Sequence, residues 1–168
     1  SFPTRRSSDL IVDMDLVERV EYIPGPGSVT HGNNALLGVI QVFTKKGSDI
    51  GATQLASELF ERGGRKQRVT HGQRLDNGGS LLLSASDLRS SGQSGLDFPY
   101  YDALGLNGGL AQNLDAEAAT RLMASWQLDG LRVQAHWSSR TKRVPYPRRD
   151  ERFNLLRQVD DTSGYLGA

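Results

Sequence analysis

The sequence contains no cysteine, which excludes a disulfide framework, a thiolate metal site and a cysteine nucleophile. It also lacks any run near the ~18 consecutive apolar residues of a membrane-spanning helix, so a helical membrane protein is excluded. No charge sign dominates, because 20 basic residues stand against 19 acidic ones, and this argues against a nucleic-acid-binding face. These absences leave a membrane β-barrel open, since its alternating strands give an average hydropathy close to that of a soluble protein.

Glycine is abundant in the chain. It accounts for 19 of 168 residues, above the ~7% that is typical of proteins. The length suits one domain, by the prior of ~100–200 residues per domain. Many glycines and many short apolar segments indicate turns and strands, so we predict a mainly β protein.

The first ten residues, SFPTRRSSDL, differ from the rest of the chain. They show no periodicity and resemble the translation of a sequencing-adapter oligonucleotide. We therefore exclude residues 1–10 from the fold and expect their deletion to leave it unchanged. We also expect the chain to be a fragment whose own N-terminal part is missing.

Beyond residue 50, segments of about ten residues alternate between apolar and polar side chains and are separated by glycine-containing turns. Residues 53–61 form one such segment. In residues 80–88, Leu81, Leu83 and Ala85 share one side. Alternation with period two predicts strands with one apolar face.

The clearest pattern is a hairpin around Asp129-Gly130, a pair that favours a two-residue type I′ turn. The resulting register places polar residues opposite one another on one face, with Met123 as the exception. The other face is apolar and carries Leu122, Ala124, Trp126, Leu128, Leu131, Val133, Ala135 and Trp137. Such a sheet fits either half of a soluble sandwich or the wall of a membrane barrel.

The lengths of the connections favour the barrel. Tight turns at residues 76–79 and 129–130 alternate with long connections at residues 89–118 and 141–161. Outer-membrane barrels have short turns on the periplasmic side and long loops outside. Structureless loops beyond ~12–15 residues are uncommon in compact soluble domains. We therefore predict that both long connections lie outside the cell.

Residues 17–47 carry a long motif, VERVEYIPGPGSVTHGNNALLGVIQVFTKKG. It resembles the end of the plug domain of TonB-dependent outer-membrane receptors, with its charged strand, its Gly-Pro turn and its Gly-Val-Ile and Thr-Lys ending. The residues that carry the motif are Glu18, Arg19, Glu21, Gly25, Pro26, Gly32, Asn34 and Gly38, followed by Val39, Ile40, Thr44 and Lys45. The strand–turn series that follows resembles the first barrel strands of the same family.

Three positions depart from the family pattern. Pro24 stands where the family usually has Arg, His31 replaces Tyr and Gln41 replaces Asn. In the family, the Arg at the position of Pro24 is thought to hold the plug against acidic groups of the barrel wall. We expect Arg19, with Glu18 and Glu21 beside it, to supply that charged seat here, because an enclosed charge needs a partner.

The resemblance implies a fold and a division of the chain. Residues 11–48 would be the C-terminal part of a small α/β plug domain. Residues 49–168 would be the first ~5–6 antiparallel strands of an incomplete transmembrane β-barrel. The side chains of the apolar hairpin face would then contact outer-membrane lipid, namely Leu122, Trp126, Leu128, Val133 and Trp137.

The resemblance also implies a function: active uptake of a scarce small-molecule ligand, such as an iron–siderophore complex or cobalamin, across the outer membrane of a Gram-negative bacterium. The inner-membrane protein TonB would be the energy-coupling partner, and no cofactor or nucleic acid would be involved. A ligand must bias the state of the plug by differential affinity before it can signal that it is bound.

Other side chains give weaker indications. No nucleophile or acid–base set is recognisable, so an enzyme is not expected, and the three histidines lack a metal-binding spacing. Phe98, Tyr100 and Tyr101 lie in a long connection, where they would either contact ligand or pack locally. The remaining alternative is a soluble extracellular β-sandwich binding module, in which a second sheet must cover the apolar face.

Overall fold

The computed structural model describes residues 11–25, 38–61, 63–145 and 153–167. Residues 1–10 and the motif positions Pro26, Gly32 and Asn34 lie outside the described residues, as does His31. No helix in the described part is long and apolar enough to cross a membrane. The prediction of a mainly β chain with antiparallel sheets is confirmed.

The described part of the chain contains ten strands and two short helices. The helices are α1 (Gly47–Ile50) and α2 (Pro99–Asp102), and 3₁₀ turns lie at Met14–Leu16 and Asn107–Gly109. The strands are β1 (Val17–Pro24), β2 (Gly38–Thr44), β3 (Thr53–Phe60), β4 (Gly64–Arg74), β5 (Ser80–Ser90), β6 (Gly95–Asp97), β7 (Leu110–Gln112), β8 (Glu117–Leu128), β9 (Leu131–Arg143) and β10 (Gln158–Gly167).

Six of these strands form one antiparallel sheet in the order β10-β9-β8-β5-β4-β3. Strands β1 and β2 pair separately, and so do β6 and β7. The sheet is open, so β3 and β10 are its edges within the described residues.

The β8–β9 hairpin has the predicted register. Leu128 pairs with Leu131, Trp126 with Val133 and Leu122 with Trp137. Both turn residues adopt positive φ, 46° at Asp129 and 84° at Gly130, as a type I′ turn requires. The turn residues therefore fixed which side chains share a face.

The sheet buries polar side chains and exposes apolar ones. We call the side on which the N-terminal residues pack the covered face, and the opposite side the bare face. The covered face buries Thr70, Ser84, Ser86, Glu117, Arg121, Ser125, His136 and Ser138. Apolar side chains at least two-fifths exposed on the bare face include Leu55, Leu59, Val69, Leu83, Leu122, Leu131 and Trp137. In the described part of the chain, no second sheet covers the bare face.

The first long connection is not structureless, which corrects the sequence analysis. It contains β6, α2 and β7, and its ends shorten because β5 runs to Ser90 and β8 begins at Glu117. Both connections leave the same end of the sheet, since Glu117 pairs with Ser90 and with Lys142. Phe153 of the second connection packs into the first. Residues 91–116 with residues 153–154 therefore form one folded unit, the loop cap.

Strand β1 contains an irregularity that its sequence only hinted at. Val17 pairs with Thr44 and Arg19 pairs with Phe43, so Glu18 is an extra residue in a β-bulge. A bulge places two residues opposite one and resets the alternation. This explains why the apolar residues of residues 17–23 do not keep a strict period of two.

Candidate functional site: a seat for the N-terminal segment on the covered face

Residues 13–16 and 44–51, which we call the seated segment, lie against the covered face. Asp13 is the N-cap of the 3₁₀ turn at Met14–Leu16, and its carboxylate accepts a hydrogen bond from the Asp15 amide at 3.2 Å. The Lys45 amide donates to the Leu16 carbonyl at 2.9 Å, and its ammonium group donates to the Asp15 carbonyl at 2.8 Å. These bonds tie the two parts of the segment together.

An ionic anchor joins the segment to strand β4. The Lys66 Nζ lies 2.7 Å from Asp13 Oδ1 and also contacts the Asp15 carboxylate. Arg68 Nη1 lies 2.8 Å from Asp15 Oδ2. Charges that leave water need partners in this way, because an unpaired buried charge is costly.

Asp13 is the most enclosed acid of this anchor, with 6% of its surface exposed. Burial alone would raise the pKa of its carboxyl group. The hydrogen bonds from Lys66 and from the Asp15 amide, with the nearby Ser86 hydroxyl and the Lys66 charge, outweigh burial and hold that pKa below its ordinary value. Asp13 therefore stays ionised, and its charge holds the anchor together.

A small apolar contact lies in the middle of the seat. Leu16 packs against Leu82 of β5 and Met123 of β8, and all three are buried. Ile50 of α1 packs against this cluster. Leu82 and Met123 are large apolar residues of the covered face, and the seated segment covers them.

A second polar anchor holds the end of β2. Arg132 Nη2 of β9 donates to the Thr44 hydroxyl at 2.7 Å and to the Thr44 carbonyl at 3.2 Å. The Arg132 Nε also donates to the Ser125 hydroxyl at 3.3 Å. The seated segment is thus held by β4 at one end and by β9 at the other.

The segment then leaves the covered face past two closely packed glycines. A Cβ atom on Gly47 would lie 1.7 Å from the Leu81 carbonyl oxygen. A Cβ on Gly72 would lie 2.5 Å from the Gly47 carbonyl oxygen. The Ser48 amide donates to the Ser80 hydroxyl at 2.9 Å. Only glycine permits this approach of α1 to the sheet.

The structure corrects the expectation that Arg19 supplies the seat. Arg19 Nε pairs with Glu21 at 2.7 Å, its Nη1 lies 3.6 Å from Glu18, and its guanidinium lies 3.8 Å from the Phe43 ring centroid. The hydrogen bond from Arg19 to Glu21 raises the pKa of the guanidinium. All these partners belong to the β1–β2 hairpin, and half of the Arg19 side chain is exposed. The charged contacts to the sheet come instead from Asp13 and Asp15.

Two further motif residues lie in the described part. Gly25 has a φ of 102°, a backbone conformation that favours glycine. An added Cβ would meet no atom within 4 Å, so steric crowding is not the reason for a glycine at this position. Gly38 pairs with Pro24, and a Cβ on it would lie 2.8 Å from the Tyr22 ring. Gly38 therefore accommodates the Tyr22 side chain across the hairpin.

The aromatic residues of the first long connection separate into two groups. Phe98 and Tyr101 pack in the loop cap, where the Tyr101 ring stacks on Phe153 with centroids 4.4 Å apart. Tyr100 touches the edge of Tyr101 and is 70% exposed. Local packing thus accounts for Phe98 and Tyr101, while Tyr100 is available for contact.

No three histidine, aspartate or glutamate side chains among the described residues form a group that could hold a metal ion. His71 binds the Thr53 hydroxyl on the bare face, whereas His136 lies on the covered face beside Tyr165. The two described histidines are therefore apart.

The sequence analysis did not identify the residues that attach the segment to the sheet: Asp13, Asp15, Thr44 and Gly47.

Comparisons of the chain with protein-family models, with curated proteins and with solved structures gave no significant match.

Proposed function

We propose that this chain is part of a TonB-dependent outer-membrane receptor that takes up a scarce ligand, such as an iron–siderophore complex or cobalamin. Residues 11–48 belong to the plug, and residues 49–168 begin the barrel. The observation that carries the proposal is the inverted burial of the six-stranded sheet, with a polar covered face and a bare apolar face. A barrel wall needs this arrangement, because its outside meets lipid and its inside is polar.

The apolar side chains on the bare face form a continuous band, which supports the proposal. Val69, Ala85, Leu122 and Trp137 are successive pairing partners, so the band crosses β4, β5, β8 and β9 at one level. At the edges, Leu55 and Leu59 of β3 and Leu166 of β10 also lie on this face. A band of apolar side chains on the outside is what a barrel wall presents to lipid.

The seat gives the plug a physical attachment. A wide lumen without a plug would leak solutes, so the plug must be held there until TonB moves it. The Asp13 and Asp15 contacts with Lys66 and Arg68 are polar and can be exchanged for water, which suits an attachment that opens. TonB would supply the work, and no covalent step by the chain is required.

An accessibility experiment in cells tests the proposal. We would insert the same short epitope at Gly105 of the loop cap or at Gly78 of the β4–β5 turn, since an added side chain meets no atom within 4 Å at either position. We expect antibody to reach the Gly105 epitope on intact Gram-negative cells, and the Gly78 epitope only after the outer membrane is permeabilised. Equal access at both positions on intact cells would contradict the proposal.

A soluble extracellular β-sandwich binding module remains the second candidate. It explains the two-faced hairpin, but it requires a sheet over Leu83, Leu122 and Trp137, and the described residues supply none. The two candidates differ in how the protein behaves during purification. A sandwich would be recovered in the aqueous fraction without detergent, whereas a barrel would be recovered only from the membrane fraction.

A further inference from the structure

A basic groove lies on the bare face where the sheet meets the loop cap. Its volume is about 490 Å³, and its lining includes Arg65 of β4, Arg89 of β5 and Arg143 of β9. Arg65 and Arg89 are direct cross-strand partners. Side chains at such positions stand ~4.5–5.5 Å apart at Cβ, and like charges there destabilise a sheet.

The acids around this groove are already engaged. The Asp87 carboxylate accepts from Arg89 twice at 3.0 Å and from the Thr120 hydroxyl at 3.0 Å. Asp160 accepts from the Thr141 hydroxyl at 2.6 Å and from Gln158. Glu117 pairs with Arg140 and Lys142 on the covered face. Arg65 forms no direct ion pair among the described residues and interacts with Asp87 only at longer range, so the three arginines leave an excess of positive charge in the groove.

Two hollows lie further from the loop cap on the same face, along the strands that carry Arg65 and Arg89. The first hollow, of about 510 Å³, is mixed: Leu55, Val69 and Ala85 line it together with Gln67, Asp87 and Thr120. The next hollow, of about 400 Å³, shares Val69 and Ala85 with it and is floored by small residues such as Ala124 and Ala135. Polarity therefore falls from the arginines, through the mixed hollow, to a trough of alanines between bulkier side chains.

The surface is thus cationic near the loop cap, mixed in the middle and apolar at the far end. This order complements an anionic lipid from its headgroup to its acyl chain. We propose that Arg65, Arg89 and Arg143 bind the phosphate of an anionic membrane lipid whose acyl chain lies in the alanine-floored trough. Charge complementarity and the position of the groove beyond the hollows on the same strands support this occupant. The inference rests on the proposed function, because only a membrane-embedded bare face would meet such a lipid.

The test uses the complete receptor, purified in a zwitterionic detergent and titrated with lipid while native mass spectrometry counts bound molecules. Phosphatidylglycerol, which is anionic, is compared with phosphatidylcholine of the same acyl chains, which is zwitterionic. The test variant combines Arg65→Gln with Arg89→Gln. The matched control combines Arg19→Gln with Arg74→Gln, which removes the same charge at two exposed positions that line neither the groove nor the seat.

We expect the receptor to retain phosphatidylglycerol in preference to phosphatidylcholine. The test variant should bind phosphatidylglycerol roughly thirtyfold more weakly, from the usual contribution of two basic side chains near a lipid surface, and the control should bind as the wild type does. Equal binding by test variant and wild type, or equal retention of the two lipids, would overturn the inference.

Inorganic phosphate separates a lipid site from a free-anion site. Displacement of phosphatidylglycerol by millimolar inorganic phosphate would also overturn the inference, because the acyl chain would then contribute nothing. All three adverse results concern lipid retention, which is to be measured after the epitope experiment has located the receptor. They are therefore distinguishable from a failure of the proposed function, which the epitope experiment reports independently.

Discussion

Lys66 Nζ lies 2.7 Å from Asp13 Oδ1, joining the first described segment of the chain to the second strand of the six-stranded sheet across 53 residues of sequence. Both side chains are mostly enclosed, with 11% of the Lys66 side chain and 4% of the Asp13 side chain exposed. The pair is therefore much less exposed to screening than an ion pair on the surface. It belongs to the attachment that would have to open if the N-terminal segment moved.

Replacing Asp13 by Asn should weaken this attachment without abolishing the fold, because Lys66 keeps its contact with Asp15. We expect the free energy of unfolding to fall by about 2 kcal/mol, the usual value for losing a hydrogen bond to a charged group. Equilibrium unfolding of the receptor in detergent measures the loss. Asp76→Asn, in an exposed turn, serves as the control and should change stability little. Equal effects of the two changes would show that Asp13 contributes nothing special.

The same carboxylate predicts how stability depends on pH. The folded pKa of Asp13 lies below its ordinary value of 3.8, so the unfolded chain binds more protons in that range. Its stabilisation is present in full above that value and is lost as the pH falls through the lowered folded pKa. Unfolding measured from pH 6 downward should therefore show a steeper loss below about pH 4 in the wild type than in Asp13→Asn. Parallel curves would contradict this role.

Gly47→Ala should also be destabilising, although alanine favours helices. The added methyl group would meet the Leu81 backbone at 1.7 Å, and backbone cannot move aside as a side chain can. We expect a cost of at least ~1–3 kcal/mol, as for other overpacked positions. Gly164→Ala is the control, because its nearest atom would be 3.9 Å away. The thermal unfolding midpoints of the two variants are compared in detergent. A Gly47→Ala midpoint equal to that of Gly164→Ala would mean that α1 does not pack closely on β5.

Phe153→Ala should loosen the loop cap and leave the sheet intact. The Phe153 ring stacks on Tyr101 and meets Phe98 edge-on at 5.9 Å, so its removal leaves a cavity between the two long connections. Losing a buried phenylalanine costs ~3–5 kcal/mol, more than a short loop structure can absorb. Hydrogen exchange should then quicken in residues 95–112 while β8 and β9 stay protected. Tyr100→Ala, which removes an exposed ring, should leave both regions unchanged.

Local turn chemistry explains what the sequence could predict. Asp129 and Gly130 need positive φ, and that requirement fixes the register of β8 against β9 and hence the two faces of the hairpin. The assignment of Leu81, Leu83 and Ala85 to one face followed from period two alone, and the pairing with β8 bears it out. These features depend on residues close together in the chain.

The seat and the loop cap depend on contacts between residues far apart in the chain, so no local sequence pattern indicates them. Nothing in the local sequence distinguishes Asp13 from the neighbouring acidic residues. Lys66 comes close to it only in the folded sheet. Arg19 had the stronger motif, yet Glu18 and Glu21 on its own strand already satisfy its charge. Likewise, nothing in residues 89–118 indicates that Phe153 of the other connection completes their core.

The central claim is that the bare face of the sheet meets lipid, and spin labels test it most directly. The chain has no cysteine, so a cysteine introduced at Leu122, Ala124, Met123 or Gln54 gives a unique label within it. In the complete receptor in bilayers, collision with oxygen reports lipid, and collision with a water-soluble nickel chelate reports water. Labels at Leu122 and Ala124 should meet oxygen and not nickel, the buried Met123 position should meet neither, and the exposed Gln54 position on the covered face should meet nickel. Nickel access at Leu122 and Ala124 equal to that at Gln54 would contradict the account.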